Sequence, residues 1–85
     1  MWVYVVSVVW QRDSGECGSN VRVFQDVEKA FEQMKIEMES ARTDFSDLST
    51  EESDYADGDM SWSIWEEGEY CYNHIDVTIT ECYVY

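Results

Sequence analysis

The chain has no proline, a single histidine and, beyond Arg42, no lysine or arginine. Each gap excludes something. Without proline, no strand or helix is forced to break by a missing backbone N–H. Without a base in residues 43–85, half of the chain has nothing with which to hold phosphates. Direct binding of nucleic acid is therefore not expected, because such contacts need Lys and Arg. The four glycines are scattered and form no phosphate-cradling loop. One histidine, with no nucleophile elbow around any serine, gives no setting for Ser-His-Asp or Cys-His catalysis, so the chain does not read as an enzyme. The opening run WVYVVSVVW stops at Gln11-Arg12-Asp13. That is about ten apolar residues, half of the roughly 20 that span a bilayer, and no basic segment of the secretory type precedes it. The three cysteines are an odd set, which suits reduced thiols and a cytoplasmic setting better than a disulfide framework.

What the chain does have is acid. Nineteen Asp and Glu against five Lys and Arg give a net charge of −14 in 85 residues. The charge is uneven: seven acids and all five bases lie in 1–42, whereas twelve acids and no base lie in 43–85. Such a field repels nucleic acid and anionic membrane and steers towards basic partners. Disorder is not the expected result, because 45% of the residues are apolar and the aromatic and β-branched residues that disordered chains lack are abundant. The length fits one domain, 1–85, with a single small core and little room for a deep cofactor cleft.

The hydrophobic pattern gives its class as α+β. Residues 2–11 (WVYVVSVVWQ) are apolar on both faces and predict a central strand. RDSGECGSN, residues 12–20, reads as a hairpin loop, and VRVF, 21–24, as the returning strand. Val27, Ala30, Phe31, Met34 and Met38 then mark one face of a helix over about 26–42, with Asp26 as its N-cap and Phe24 placed to staple against Phe31. Glu28 and Glu32 on its outer face are a like-charge i,i+4 pair, so the acidity does not serve the helix. Residues 43–59 lose all periodicity and read as a long acidic loop, with a capping-box match, Ser49-x-x-Glu52, that could begin one helical turn. MSWSIW, 60–65, alternates strictly, EEGE, 66–69, reads as a hairpin turn with Gly68 free to take positive φ, and 70–85 returns as one strand or two with a bulge or an end near Glu81. The sum is ββαββ or ββαβββ, a small antiparallel sheet with one helix packed on one face.

No cofactor is expected. Cys71-x-x-His74 with Cys17 and Cys82 supplies four potential zinc ligands, but a two-residue gap within a strand does not make a zinc-knuckle turn, and the thiols read as small buried hydrophobes. SDYADGDM fails as an EF-hand loop: with Gly58 at its sixth position, Ser53, Tyr55 and Ile64 stand where carboxylates belong. The acids 43–59 and 66–69 carry the functional signal instead. Asp44, Asp47, Glu51, Glu52, Asp54, Asp57, Asp59, Glu66, Glu67 and Glu69 are the leading partner-binding candidates, with Asp13 and Glu16 of the first loop behind them. Trp62 reads as core; Trp65 and Tyr55 read as interface aromatics.

The stretches TDFSDLSTEESDYADGDM, WEEGEY and RDSGECGSN, set on a short chain of this class, resemble small acidic phage and mobile-element proteins, above all the DNA-mimicking anti-CRISPR proteins. The resemblance covers the character of the whole chain and rests on no diagnostic motif. It implies an inhibitor, a monomer or homodimer in the host cytoplasm, that occupies the basic nucleic-acid-binding surface of a partner such as a CRISPR effector nuclease. The alternative is a non-enzymatic adaptor that binds a protein through aromatic or sheet-edge contacts.

Overall fold

The computed structural model describes residues 1–68 and 72–85. The expected class holds. Five strands, β1 Trp2–Gln11, β2 Cys17–Phe24, β3 Thr50–Glu52, β4 Ser61–Glu66 and β5 His74–Tyr83, form one antiparallel sheet in the order β2-β1-β5-β4-β3, and the helix α1, Val27–Asp44, packs on one face. β1 is central as its Val-rich run predicted, lying between β2 and β5.

The helix starts where the sequence placed it. Asp26 has extended backbone, and its carboxylate accepts the Glu28 N–H. Ala30, Met34, Met38 and Ala41 are buried, while Val27 and Phe31 at the margins of the stripe are half-buried. They meet Val6 and Val8 of β1, Ile75, Val77 and Ile79 of β5, and Trp62 and Ile64 of β4. These are alternate residues of three neighbouring strands and so share one side of the sheet. Trp10 lies on the same side and packs flat over Gly18 of β2, where a Cβ would overlap the indole.

Four readings need correction. The first loop is shorter than 12–20, because Cys17–Asn20 already belong to β2; the reversal is 12–16, held by Arg12 N–H to Glu16 O at 2.8 Å. Residues 43–59 are not one loop. α1 runs on to Asp44, Phe45 caps it and is buried, and Thr50–Glu52 form a strand rather than a helical turn. The apolar Phe45 and Leu48 explain this: they tie the acidic segment to the core. The sixth element of ββαβββ is therefore this strand, not a division of the last one. Finally, β5 has no bulge at 81. Its pairing with β1 is continuous from His74 to Tyr83, which puts Glu81 on the helix side opposite Tyr4. Glu81 is solvated there, so no phase slip is needed.

The helix covers only one face. The other carries the odd-numbered residues of β1 and their partners, and among the described residues no helix or strand packs against it. A radius of gyration of 13.7 Å reflects a molecule drawn out to 44 Å along its longest axis; about 12 Å is usual for a compact chain of this length.

Candidate functional site

Topology sorts the candidate acids into two groups. β1 ends, β2 begins, α1 ends, β3 begins, β4 ends and β5 begins at one end of the sheet, because every neighbouring pair is antiparallel. That end collects Asp13 and Glu16 from the first reversal, Asp44 and Asp47 from the end of α1, Glu51 from β3, and Glu66 and Glu67 from the end of β4. Three separate connections thus deliver their carboxylates to one rim. Two bases lie near them among the described residues: Arg42 in the last turn of α1, and Arg12, whose guanidinium lies over the Phe45 ring, 4.9 Å from the centroid.

Asn73 organises this rim. Its amide donates to Glu66 Oε2 at 2.6 Å and to Asp13 Oδ2 at 3.2 Å, and its Oδ1 accepts the Asp13 N–H at 3.0 Å. The Tyr72 N–H adds a bond to Asp13 Oδ1 at 2.6 Å. One neutral side chain therefore holds two carboxylates from residues 53 apart in the chain. Glu67 is anchored through its backbone, N–H to Ser49 O at 2.9 Å, leaving its side chain in solvent. No sequence signal marked Asn73. Its role depends on a hairpin reversal sixty residues away.

The second group lies along the β3 side. Glu52 is not a free acid. Arg42 donates to both of its oxygens from Nε, at 3.0 and 3.1 Å, and from Nη2 at 2.8 Å, while also holding Glu39 at 2.9 Å. The hydrogen bonds from Arg42 hold the Glu52 carboxyl below its ordinary pKa, and the same contact with Glu52 raises that of Arg42. The Arg42 guanidinium also lies over the Trp62 ring at 5.1 Å. The Trp62 indole N–H faces Glu52 and helps to lower its pKa, but it makes no hydrogen bond of normal geometry and has no other partner. Asp59 closes its own loop, accepting the Ala56 N–H at 2.8 Å. Asp57 reaches Lys35 only at 3.9 Å, and Asp54 is exposed. Tyr55 is half-buried against the core, contrary to its reading as an interface aromatic. Burial, then Asp57 and Asp59, raise its pKa. Trp62 is core as expected, and Trp65 is half-buried on the face away from the helix.

Among the described residues, Glu16, Asp44, Asp47, Glu51, Asp54 and Glu67 use their carboxylates in no hydrogen bond or ion pair. Glu69, and with it the far half of the EEGE turn, lies outside the described residues, as does Cys71. Gly68 takes φ 130° as the turn reading required.

Distance keeps Cys17 and Cys82 from sharing a site. Cys17 pairs with Gln11 at one end of β1 and Cys82 pairs with Val3 near the other. Eight residues of strand separate them by roughly 26 Å. Both are also exposed rather than buried. His74 is the first residue of β5, paired on both sides, not at an edge. No helix among the described residues is long and apolar enough to cross a membrane.

The Arg42–Glu52 pair gives a pH test. A carboxyl with a depressed folded pKa contributes stability above its unfolded value, near 4.5, and loses that contribution as pH falls through the folded value. Both side chains are more than a third exposed, so the contribution at neutral pH is about 0.5–1 kcal/mol. Glu52→Gln should be less stable than the parent by that amount in urea unfolding at pH 7, and the difference should shrink as pH falls below 4.5 and be lost below the folded value. An undiminished difference at low pH would show that the contact acts through packing instead.

Comparison with protein-family models, with curated proteins and with solved structures finds no match.

Proposed function

We propose that this chain is a non-enzymatic, acidic protein-binding inhibitor that occupies the basic nucleic-acid-binding surface of a partner such as a CRISPR effector nuclease in the cytoplasm. The observation that carries this reading is the rim at the end of the sheet. Seven carboxylates, Asp13, Glu16, Asp44, Asp47, Glu51, Glu66 and Glu67, come from three connections to one end of five strands. Five strands spaced about 4.8 Å span about 19 Å, roughly one charge per 3 Å. One strand of duplex DNA carries a charge every 3.4 Å or so. A channel built to hold a phosphate backbone would meet a comparable charge density here.

Rigidity supports the same reading. Asn73 fixes Asp13 and Glu66, and Glu67 hangs from a backbone bond to Ser49. Carboxylates held on a fold lose less entropy on docking than those of a disordered acidic tail. Each can take a charge-assisted, bidentate bond from an arginine of the partner. Charge of this size also accelerates encounter with a basic surface.

The second reading, an adaptor that binds by strand addition, is favoured by β2. It is an edge strand of eight residues with Arg22 as its one charge, and no strand among the described residues pairs with its free edge.

Competition with DNA separates the two. Labelled target duplex is pre-bound to each of a panel of guide-loaded RNA-guided nucleases, and this protein is titrated in at 50 and 200 mM salt. A DNA mimic displaces the duplex from at least one member, with affinity falling at least about tenfold between the two salts. Binding that leaves the duplex in place, or that ignores salt, points to strand addition. No displacement from any member would sink the inhibitor reading for this class of partner.

A further inference from the structure

We propose that the sheet face opposite the helix is a self-association surface, on which a second copy of this chain packs face to face. The inference does not rest on the function proposed above.

The face follows from register. In antiparallel pairing, directly opposite residues point the same way. Val5 pairs with Val23 and Thr80, Ser7 with Val21 and Thr78, and Val9 with Ser19 and Asp76. Val5, Val9, Val21 and Val23 therefore form one strip along β1 and β2 on the side that α1 leaves bare, with Val3 at its end already buried. Val21 and Val23 are each 60% exposed and Val9 47%, although β1 lies at the centre of the sheet. This accounts for the sequence feature that the fold alone does not, namely that WVYVVSVVWQ is apolar on both faces. A monomer needs only one of them.

Charge identifies the occupant. Of nineteen acids in the chain, the strands place only Asp76 and Glu51 on this face, and Asp76 sits 3.4 Å from His74 Nε2. Besides His74, the rest of the strand residues on this face are valine, serine, threonine, Gln11, Cys17, Cys82 and Trp65, with no Lys or Arg. A partner attracted by the acids of this molecule would find only these two here, one of them beside His74. Two copies that each carry −14 repel one another least where acids are fewest, and the strands place only two on this face. The hydroxyls at its centre are already matched to one another: Ser7 Oγ lies 2.7 Å from Thr78 Oγ1. Covering them leaves that bond intact, so their desolvation is cheap.

The area suffices. The four longer strands, of 10, 8, 6 and 10 residues, at about 3.3 Å per residue and about 4.8 Å spacing give a face of roughly 540 Å², or about 1,100 Å² for a pair. Stable interfaces bury upwards of about 1,000 Å². Stacked sheets pack about 10 Å apart through interdigitated side chains of this size. The paired molecule would be a sandwich with a helix on each outer face.

Sedimentation equilibrium of the full chain over about 1–200 μM, at 50 and 500 mM salt, tests this. The expected result is a reversible dimer that tightens at least about tenfold at the higher salt, as screening removes the repulsion. Val21→Lys and Val21→Glu should both weaken it at least tenfold, with the circular dichroism spectrum unchanged because Val21 already faces solvent. Loss with Glu alone would show that added repulsion, not apolar contact, was measured, and would overturn the proposal. So would a dimer that Arg22→Glu dissolves and Val21→Lys leaves intact, which would assign it to the β2 edge. A monomer at 200 μM in 500 mM salt overturns the proposal too. In that case, flotation with zwitterionic phosphatidylcholine vesicles tells a membrane-covering role from a face reserved for a different protein.

Discussion

Phe45→Ala should cost this protein about 3–5 kcal/mol and lower its melting temperature by roughly 15–30 °C. Phe45 is 1% exposed and is among the largest fully buried side chains of the chain. It sits at the C-cap of α1, where its N–H bonds to Ala41 O at 3.1 Å, and its ring carries the Arg12 guanidinium on its surface. One residue thus closes the helix, plugs the core beneath it and anchors the first reversal. Domains of this size hold only about 5–15 kcal/mol in total, so the variant is expected to be partly unfolded at 37 °C. Thermal unfolding followed by circular dichroism measures it. A fall of less than 5 °C would mean that the surrounding side chains collapse into the space, and that the acidic segment is not tied down where the fold places it. Leu is the informative companion: Phe45→Leu keeps most of the volume and should recover more than half of the loss.

The second large effect is on binding, and it runs opposite to the effect on stability. Asp44→Asn, Asp47→Asn, Glu51→Gln and Glu67→Gln together remove four carboxylates that make no bond among the described residues. Affinity for a partner identified by the DNA-competition assay should fall at least about 100-fold at 50 mM salt, because each lost contact is a charge-assisted one. The folded state should gain a few tenths of a kcal/mol per site in low salt, since each change relieves self-repulsion. Glu52, Asp13 and Glu66 are left alone, because Arg42 and Asn73 hold them and their loss would disturb the fold. A variant that melts higher yet binds as tightly as the parent would remove the rim from the proposed function. Urea unfolding and the competition assay on the same preparation decide it.

The fold was more legible in the sequence than the site. A run at 2–11 that is apolar on both faces, strict alternation at 60–65 and a clear helical stripe over 27–38 suffice for a one-helix antiparallel sheet, since each apolar face needs a cover. The stretch 43–59 was misjudged because charge masked its two anchors: Phe45 and Leu48 are single apolar residues in an acidic segment, and a three-residue strand leaves no period to read. Glu81 looked like a phase error because strand patterning assumes a covered face along the full strand, whereas the strand outruns the helix. The acids could be counted but not sorted. Nothing in their spacing separates Glu51, which is solvated, from Glu52, which is clamped by Arg42. Nor can spacing reveal that Asn73 joins Asp13 to Glu66, a contact that exists only once the ends of β1 and β4 are brought together.

The central ladder has a consequence for how the molecule is made. β1 pairs with β5 over ten residues, and beyond it Met1 and Val84 exchange backbone bonds at 3.0 and 2.7 Å. The innermost pair of strands is thus the most distant pair in the sequence. During synthesis β1 and β2 can close as a hairpin within about 24 residues, but their valines stay bare on both sides until α1 and then β5 have left the ribosome. The core cannot nucleate from one end and grow. It must close late, around a long loop, which is the slow kind of folding and the kind most exposed to aggregation. In that interval the dense negative charge has a use unrelated to any partner: nascent chains of like sign keep apart while their strand edges are still open.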